Sequence, residues 1–505
     1  MAPIYIDELY LAAHRGTEME TAVFVAILGA NLLLLQDFGS FATAASPGFR
    51  TAVTARGLNY VCQVLTPILK EKLSSLTIPD IEGNAETPIG SVRYELKNIQ
   101  LSNLALPTSS LTSTSQGLVI QASDISFYIH GDWQYRGNDW PHIEDHGTCE
   151  IKIYEVFLEV HIGVATDSSG HAVVSTNYCD LHIGKLDIQF DGGASWLYNL
   201  FSSDISDELK GSIEEQICKT ASLEIDTEGN KALASMPVNI TISSVAEVDF
   251  AMIQDPIITT GHIETNHKGE FFRTDHPVEA PFTPPSLPAV TENTSMLYMW
   301  LTDYMANTAG FVYLAAGKLS YVVTPNMVPP SLPIQLNTSY FKDIIPQLYS
   351  KFPNWGMELK LNATKPPLLK LSSSGANFTV FGDVLVNVLK PGNSSDSELA
   401  FVLGAVVLAE AEFYLKNNSA NLFVCGNTTF IRINLSLVST NIGDFDVDVL
   451  QEAANLLSIL YIIPLINNYA NSGVPFPVID DMTLTNASLK LGEDYVLVAA
   501  DIVYS

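Results

Sequence analysis

Basic residues are scarce in this chain. It has 25 Lys and Arg against 55 Asp and Glu, a formal net charge of -30 at pH 7. Neutralising phosphates takes clustered Lys and Arg, so nucleic acid is excluded as a partner. The same balance argues against simple electrostatic docking on anionic membranes. Cysteine is sparse too. Five in 505 residues are too few for a disulfide scaffold, and an odd total leaves one unpaired unless it pairs between chains. Catalytic spacings are missing: there is no G-x-S-x-G elbow, H-E-x-x-H, P-loop or C-x-x-C. His262 and His267 are five apart, the wrong spacing for two ligands on one helix face. His142, His146 and Cys149, with Glu144 and Asp145, could ring a metal on a loop, but a solvated polar loop is the simpler account. The expectation is a non-enzyme with no metal and no cofactor.

Long apolar runs are also few. Ala22 to Leu35, AVFVAILGANLLLL, is about half to two-thirds of the roughly 20 residues a membrane span needs. Ala42 and Ala44 follow it in an A-x-A pattern. Residues 1–45 are therefore read as a leader with a signal peptide cut near Ala44 or Ala45, although its apolar core starts late and its flank is acidic. The other long run, Leu456 to Ile466, contains Pro464 and reads as a buried helix that the proline kinks.

Apolar residues, in contrast, are plentiful. Hydrophobic residues make up 47 % and charged residues 16 % of the chain, with mean hydropathy +0.19, which excludes a disordered chain. Ten N-x-S/T sequons occur, at Asn239, Asn293, Asn337, Asn362, Asn377, Asn393, Asn417, Asn427, Asn434 and Asn486. Behind a leader, they point to a secreted, extracellular glycoprotein. Five prolines lie between His276 and Pro288, where φ is fixed and donors are lost. That cluster sets the expected boundaries: an N-terminal body over 46–275, a linker over 276–291 and a C-terminal body over 292–505.

Each half shows the same grammar. Apolar and polar residues alternate as in half-buried antiparallel strands, for example Leu186, Ile188 and Phe190 or the closing YVLVAADIVY. Two helical stretches interrupt the strands in each half. The first, Gly57 to Leu76, spaces Val61, Leu65, Ile68, Leu69, Leu73 and Leu76 by threes and fours. The second, Ser195 to Cys218, does the same with Leu197, Leu200, Phe201, Ile205, Leu209, Ile213 and Ile217. Asn307 to Leu319 and Asp448 to Gly473 are the helices of the second half, the latter with Leu450, Ala454, Leu457, Tyr461 and Leu465 on one face. The pattern suggests a structural duplication. A curved sheet around an apolar helix can enclose space for acyl chains, each buried CH₂ gaining about 0.8 kcal/mol, or its side chains can simply pack one another.

Several separate segments then match one family in order. They are SPGFRTAVTARGLNYV from Ser46, SLTIPDI from Ser75, LTDYMANTAGFVYLAAGKL from Leu301, KFPN from Lys351, STNIGDFDV from Ser439 and the closing GVPFPVIDDMTLTNASLKLGEDYVLVAADIVY. Over about Ser46 to Ser505 the chain resembles the bactericidal/permeability-increasing protein and lipopolysaccharide-binding protein family, which includes plasma lipid transfer proteins. The resemblance implies an α+β fold: two tandem barrels of highly curved antiparallel sheet, each with a long apolar-faced helix, joined by a central sheet in a boomerang. It also implies one apolar pocket per barrel for phospholipid or another acyl-chain lipid. Candidate lining residues are Val61, Leu65, Ile68, Leu69, Leu197, Leu200, Phe201 and Ile205 in the first barrel. In the second they are Phe311, Val312, Leu314, Leu450, Leu457 and Tyr461.

The resemblance places Cys179 and Cys218 at the family's one disulfide and leaves Cys62, Cys149 and Cys425 as thiols. Family members that neutralise endotoxin carry a cationic tip after the first helix. Here Lys70, Lys72, Arg93 and Lys97 face Glu71, Asp80, Glu82, Glu86 and Glu95 in that window, and capturing phosphates needs an excess of bases. Holding or transferring lipid is thus the leading expectation. Recognition of lipopolysaccharide or another microbial lipid is the second, and a structural or storage glycoprotein the third.

Overall fold

The computed structural model describes residues 46–504 apart from 75–77, 88–89, 140–141, 193–201, 331, 333, 393–395, 418–421 and 476–481. The leader and its cleavage site lie outside the described residues. So do Leu197, Leu200, Phe201 and the sequon asparagine Asn393. The described chain forms two compact units: residues 53–237 with 255–264, and residues 46–52 with 238–254 and 265–504.

The first unit is one sheet with helices against it. Its strands are β2 (Ile81–Thr87), β3 (Gly90–Ala105), β4 (Thr108–Thr114), β5 (Gly117–Gly137), β6 (Glu144–Thr166) and β7 (Ala172–Asp191), following β1 (Phe49–Thr54). The order is β2-β3-β5-β6-β7, with β4 also on β5, and these pairings are antiparallel. The strands alternate buried and exposed, as in Ile151, Ile153, Val156, Leu158 and Val160 of β6.

Bulges bend this sheet. The register slips between Lys97 and Gln100, Ser102 and Ala105, and Ala122 and Ile125. Asn98, Asn103, Asp124 and Glu155 take left-handed φ values of 54°, 54°, 56° and 56°. Three of the four are Asn or Asp, which tolerate that conformation best after glycine. Each bulge kinks its strand and raises its twist, so the sheet curls.

Helix α1 (Ala55–Ser74) starts where Thr54 Oγ1 accepts the Gly57 N–H, 3.4 Å. Its spacing of apolar residues puts Leu58, Val61 and Leu73 in the core. α2 (Ser202–Leu223) buries Leu209, Ile213 and Ile217 and packs on β7. It continues through a π-helical turn, Glu224–Gly229, into α3 (Asn230–Ser235). Cys179 of β7 and Cys218 of α2 form a disulfide across a separation of 39 residues, the pairing the resemblance implied.

The second unit adds β8 (Asn239–Ser243), β9 (Ala246–Asp249) and, after β10 (Ile257–Ile258) and β11 (His262–His267), β12 (Glu270–Arg273). β12, β9 and β8 form a small antiparallel sheet. The proline boundary assigned these strands to the first body, whereas they pack with the second. The physical reason is α4 (Asp303–Ala315), which packs on β12, its Thr308 Oγ1 accepting the Phe271 N–H at 3.0 Å. The helix starts four residues earlier than its sequence pattern suggested. Next to β1, β13 (Leu297–Thr302) pairs β22 (Tyr495–Tyr504), which pairs β21 (Met482–Gly492).

The largest sheet contains β14 (Ser320–Val323), β15 (Gly356–Ala363), β16 (Leu368–Ser372), β17 (Gly375–Leu389), β18 (Ser397–Asn417), β19 (Leu422–Thr440) and β20 (Val474–Pro475). All its pairings are antiparallel. α5 (Pro346–Lys351) packs Leu348 into its core, with Phe341, Phe352, Met357, Val388 and Phe401. α6 (Asp448–Leu457) and α7 (Ile463–Ala470) are joined by a π-helical turn, Ser458–Ile462. That turn sits just before Pro464, where a normal helix would lose a hydrogen bond and clash.

Residues 276–291 contain no helix or strand, but they are tied down. Ala280 N–H donates to Glu270 at 2.7 Å and Arg50 donates to the Pro288 carbonyl at 2.6 Å. Leu287 and Val290 pack against the cluster of Ala52, Tyr298, Trp300, Leu497 and Ala499. Beside them lies a buried polar chain: Thr51 and Thr265 hydroxyls 2.6 Å apart, Thr265 Oγ1 to His267 Nε2 at 2.8 Å, and His267 Nδ1 to the Phe250 carbonyl at 2.7 Å. Nδ1 therefore donates and Nε2 accepts, the pattern of a neutral ring.

Two outcomes follow from these contacts. Replacing Cys179 and Cys218 by Ser is expected to lower stability by about 2–4 kcal/mol in urea unfolding. Burial lowers the His267 pKa from 6.5 to about 4. The unfolded chain therefore takes up that proton first: the contribution is complete above about pH 6.5 and is lost as pH falls towards 4, about 3 kcal/mol in all. His267→Asn should flatten the stability profile between pH 7 and pH 4.5, and identical slopes in both chains would refute the assignment.

Candidate lipid site

The first unit places an apolar slot of about 40 Å³ between α1 and the strands it covers. Cys62, Leu65, Thr66 and Leu69 line it from the helix, one turn apart. Leu106, Ser109 and Leu111 come from the β3–β4 region, and Ile120 and Ala122 from β5. The Thr66 and Ser109 hydroxyls are 2.8 Å apart, and Thr66 also donates to the Cys62 carbonyl at 2.7 Å. With its hydroxyls satisfied by protein, the slot presents hydrocarbon and one thiol.

Two of the candidate residues, Leu65 and Leu69, meet in this slot. Val61 is buried in the core beside it, 1 % exposed. Ile68 and Ile205 lie on α1 and α2, and their side chains are outside the described set. Leu106 of the β3–β4 connection and the strand residues Leu111, Ile120 and Ala122 were not anticipated. Alternation within β5 carried a signal for the last two, but only the pairing of β4 with β5 (Leu111 opposite Ile120) brings the lining together.

In the second unit the candidates fall into two groups. Val312 of α4 is buried and Phe311 and Leu314 are half-buried, Phe311 standing edge-on to Phe282 at 6.4 Å. α4 itself is fixed to β16 by Asn307, which donates to the Leu369 carbonyl and accepts its N–H. Leu450 joins the core with Met357, Val386 and Phe401, while Leu457 and Tyr461 are half-buried.

The α6–α7 segment is organised unusually. Beyond Leu450, its polar side chains grip the sheet. Gln451 accepts the Leu435 N–H (2.6 Å) and donates to the Ile433 carbonyl. Asn455 accepts the Ile433 N–H (2.9 Å). Asn467 accepts the Thr428 N–H (2.6 Å) and donates to its carbonyl (3.0 Å). These side chains satisfy the free edge of β19. Leu456, Ile459 and Leu460 are left outside, Ile459 61 % exposed. The segment Asp448–Asn468 is long and apolar enough to cross a membrane by length and composition, with 6 % of its most apolar window buried. Gln451, Asn455 and Ser458 follow helical spacing, a second stripe that the apolar pattern concealed.

Three of the four bases of the expected tip region, Lys72, Arg93 and Lys97, are matched by acids. Arg93 meets Glu82 at 2.5 Å and Glu95 at 3.4 Å, Lys97 meets Glu95 at 2.5 Å, and Lys72 meets Glu224 at 3.7 Å. Hydrogen bonding from Lys97 and Gln134 lowers the Glu95 pKa, so its carboxylate stays charged. Strand β6 separates the residues of the possible metal loop: Cys149 is buried and His146 is exposed on the opposite face. Burial pushes the Cys149 thiol up to about 11. Cys62, Cys149 and Cys425 are buried free thiols.

Two family models match this chain, the N-terminal domain of the LBP / BPI / CETP family over residues 57–236 and its C-terminal domain over 240–504. The chain belongs to the LBP / BPI / CETP family. Among curated members, it is 28 % identical over 462 residues to the bactericidal permeability-increasing protein of Sebastes schlegelii, covering 91 % of this chain and 96 % of that one. It is 27 % identical over 477 residues to human lipopolysaccharide-binding protein, covering 94 % and 97 %. A crystal structure of lipopolysaccharide binding protein superposes with a TM-score of 0.59 at 25 % identity, covering 91 % of this chain and all of that one. The family fold accounts for the α+β, two-unit arrangement of curled antiparallel sheets.

Asn467→Ala is expected to cost about 1–3 kcal/mol, because both polar groups of Thr428 lose their side-chain partner at the sheet edge. Hydrogen exchange should quicken at Thr428 and along α7. Unchanged exchange there would show that the edge is held by other contacts.

Proposed function

We infer that this chain is a secreted lipid-binding protein, not an enzyme, that holds phospholipid-like ligands in apolar pockets and passes them between lipid assemblies or partners. The observation that carries this reading is the slot beside α1, where Leu65 and Leu69 face Leu106, Leu111 and Ile120 and the two hydroxyls satisfy each other. At about 40 Å³ it has room for about one water-sized group. An acyl chain enters by prising α1 from β4 and β5, exchanging protein–protein for protein–lipid apolar contacts. Ten buried methylenes return about 8 kcal/mol. Val61, Ile68, Leu197, Leu200, Phe201 and Ile205 extend this pocket in the proposal. Phe311, Val312, Leu314, Leu450, Leu457 and Tyr461 serve the second unit.

Export is supported by the apolar run at Ala22–Leu35, the ten sequons and the Cys179–Cys218 disulfide, which persists in oxidising compartments. The likeness to human lipopolysaccharide-binding protein favours a second reading, binding of lipopolysaccharide. Since Arg93, Lys97 and Lys72 are already engaged by Glu82, Glu95 and Glu224, the acyl chains rather than the phosphates of such a ligand are what this chain grips. Its binding should therefore be nearly insensitive to salt.

Native mass spectrometry of protein gently purified from a secretory host should show bound acyl lipid. Leu65→Trp with Leu69→Trp, which fills the slot, should remove lipid from the first unit while circular dichroism stays unchanged. A chain that arrives empty and exchanges no labelled phospholipid with vesicles would defeat the proposal.

A further inference from the structure

We propose that one face of the β15–β19 sheet is a carbohydrate face, where N-linked glycans on Asn362, Asn377, Asn427 and Asn434 stand together and cover an apolar patch around Leu408 and Phe430. The proposal rests on the secretory reading above and goes beyond it, because the fold decides which sequons share a surface.

Cross-strand partners lie on the same side of a sheet, and successive residues on opposite sides. The inner side is marked by Met357 opposite Val388 and by Val386 opposite Phe401, all core residues. Ala376, Ala411 and Thr428 continue that side along another row, and all are buried. Counting from these rows, Asn362 (opposite Asp383), Asn377 (opposite Glu410), Asn427 (opposite Glu412) and Asn434 (opposite Val406) all point to the other side. The bulge between Glu410 and Ala411 preserves this, since β19 supplies the extra residue. Each of the four sits in an N-x-S/T triplet: Asn362-Ala-Thr, Asn377-Phe-Thr, Asn427-Thr-Thr and Asn434-Leu-Ser.

Strand spacing of about 4.8 Å and a rise of about 3.3 Å per residue put the four within a patch about 30 Å across. Asn377 and Asn434 are exposed, and Asn362 and Asn427 half-exposed. In contrast, the Asn337 side chain is held by the Tyr340 N–H and that of Asn486 by Asp501. Between the four lies apolar surface. Leu368, Thr379, Leu408 and Arg432 form one row across four strands, and Phe430 stands in the next. Leu408 is 38 % and Phe430 41 % exposed, with the Arg432 guanidinium 5.6 Å from the Phe430 ring. Asn377 is two residues from Thr379, and Asn434 two from Arg432. Sugars on these two asparagines therefore flank the patch on both sides. Bulky, hydrated glycans make such a surface soluble. No sequon falls in α6 or α7, so Leu456, Ile459 and Leu460 stay bare.

The test is to express the full chain in a eukaryotic secretory host and map cells and medium separately. Peptide N-glycosidase treatment in heavy-oxygen water marks every asparagine that carried a glycan. Marks at Asn377 and Asn434, with at least one of Asn362 and Asn427, are the expected result. A chain in the medium with fewer marks overturns the carbohydrate face and leaves export standing, while an unglycosylated chain kept in the cell overturns both. Removing the glycans from the folded protein should raise the fluorescence of an apolar dye several-fold. Leu408→Ser with Phe430→Ser should abolish that rise. An unchanged signal on deglycosylation overturns the covering role, and Asn293→Gln serves as the control at a loop sequon.

Discussion

A strand of 23 residues such as β6 is about 76 Å long if drawn straight, longer than one small hydrophobic core can cover. The constraint on this molecule is that such strands must bend round on themselves before their apolar side finds anything to touch. In the first unit the bending is done by residues in left-handed conformation at Asn98, Asn103, Asp124 and Glu155. Once the sheet is curled, alternation along β5 and β6 lays Ile129, Ile151, Ile153 and Val156 on its inner wall. α1 and α2 then need only one apolar face each. The Cys179–Cys218 bond holds α2 to the sheet at one point, and the slot beside α1 is a gap left between the curled sheet and the helix laid on it.

The second unit meets the same constraint and finishes its sheet differently. Beyond Phe423 and Val424, where the short β20 pairs with it, β19 has a row of backbone groups that a further strand would normally satisfy. Gln451, Asn455 and Asn467 satisfy several of them. A helix that spends its polar residues on a sheet edge has only apolar ones left for its outer side. This explains both the exposed Leu456, Ile459 and Leu460 and the near absence of charge along the segment. The π-helical turn before Pro464 lies between Asn455 and Asn467, and both of these side chains still bond β19.

Much of this was readable in the sequence. The spacing of Val61, Leu65 and Leu73 marked α1, and the alternation of the closing YVLVAADIVY marked β22. The order of separate motifs identified the family and, through it, the disulfide. What could not be read depended on pairing register. Leu111 and Ile120 line the slot together because β4 folds back on β5, and no local pattern announces that. The boundary drawn at the prolines used the strongest composition signal in the chain, yet Leu287 and Val290 beside them pack against the cluster of Tyr298, Trp300 and Leu497 in the second unit. The short strands β8, β9 and β12 are tied to α4 by scattered polar contacts, Thr308 to Phe271, Tyr313 to Ser243 and Arg273 to the Ala315 carbonyl, too scattered to show in a sequence pattern.

The wall of the slot contains a sulfur atom. Cys62 is a free thiol, 7 % exposed, between Leu65 and the strands. On the proposed reading an acyl chain in the slot lies directly against this sulfur. The surroundings of the thiol, and with them its reach for an alkylating reagent, then differ between loaded and empty protein.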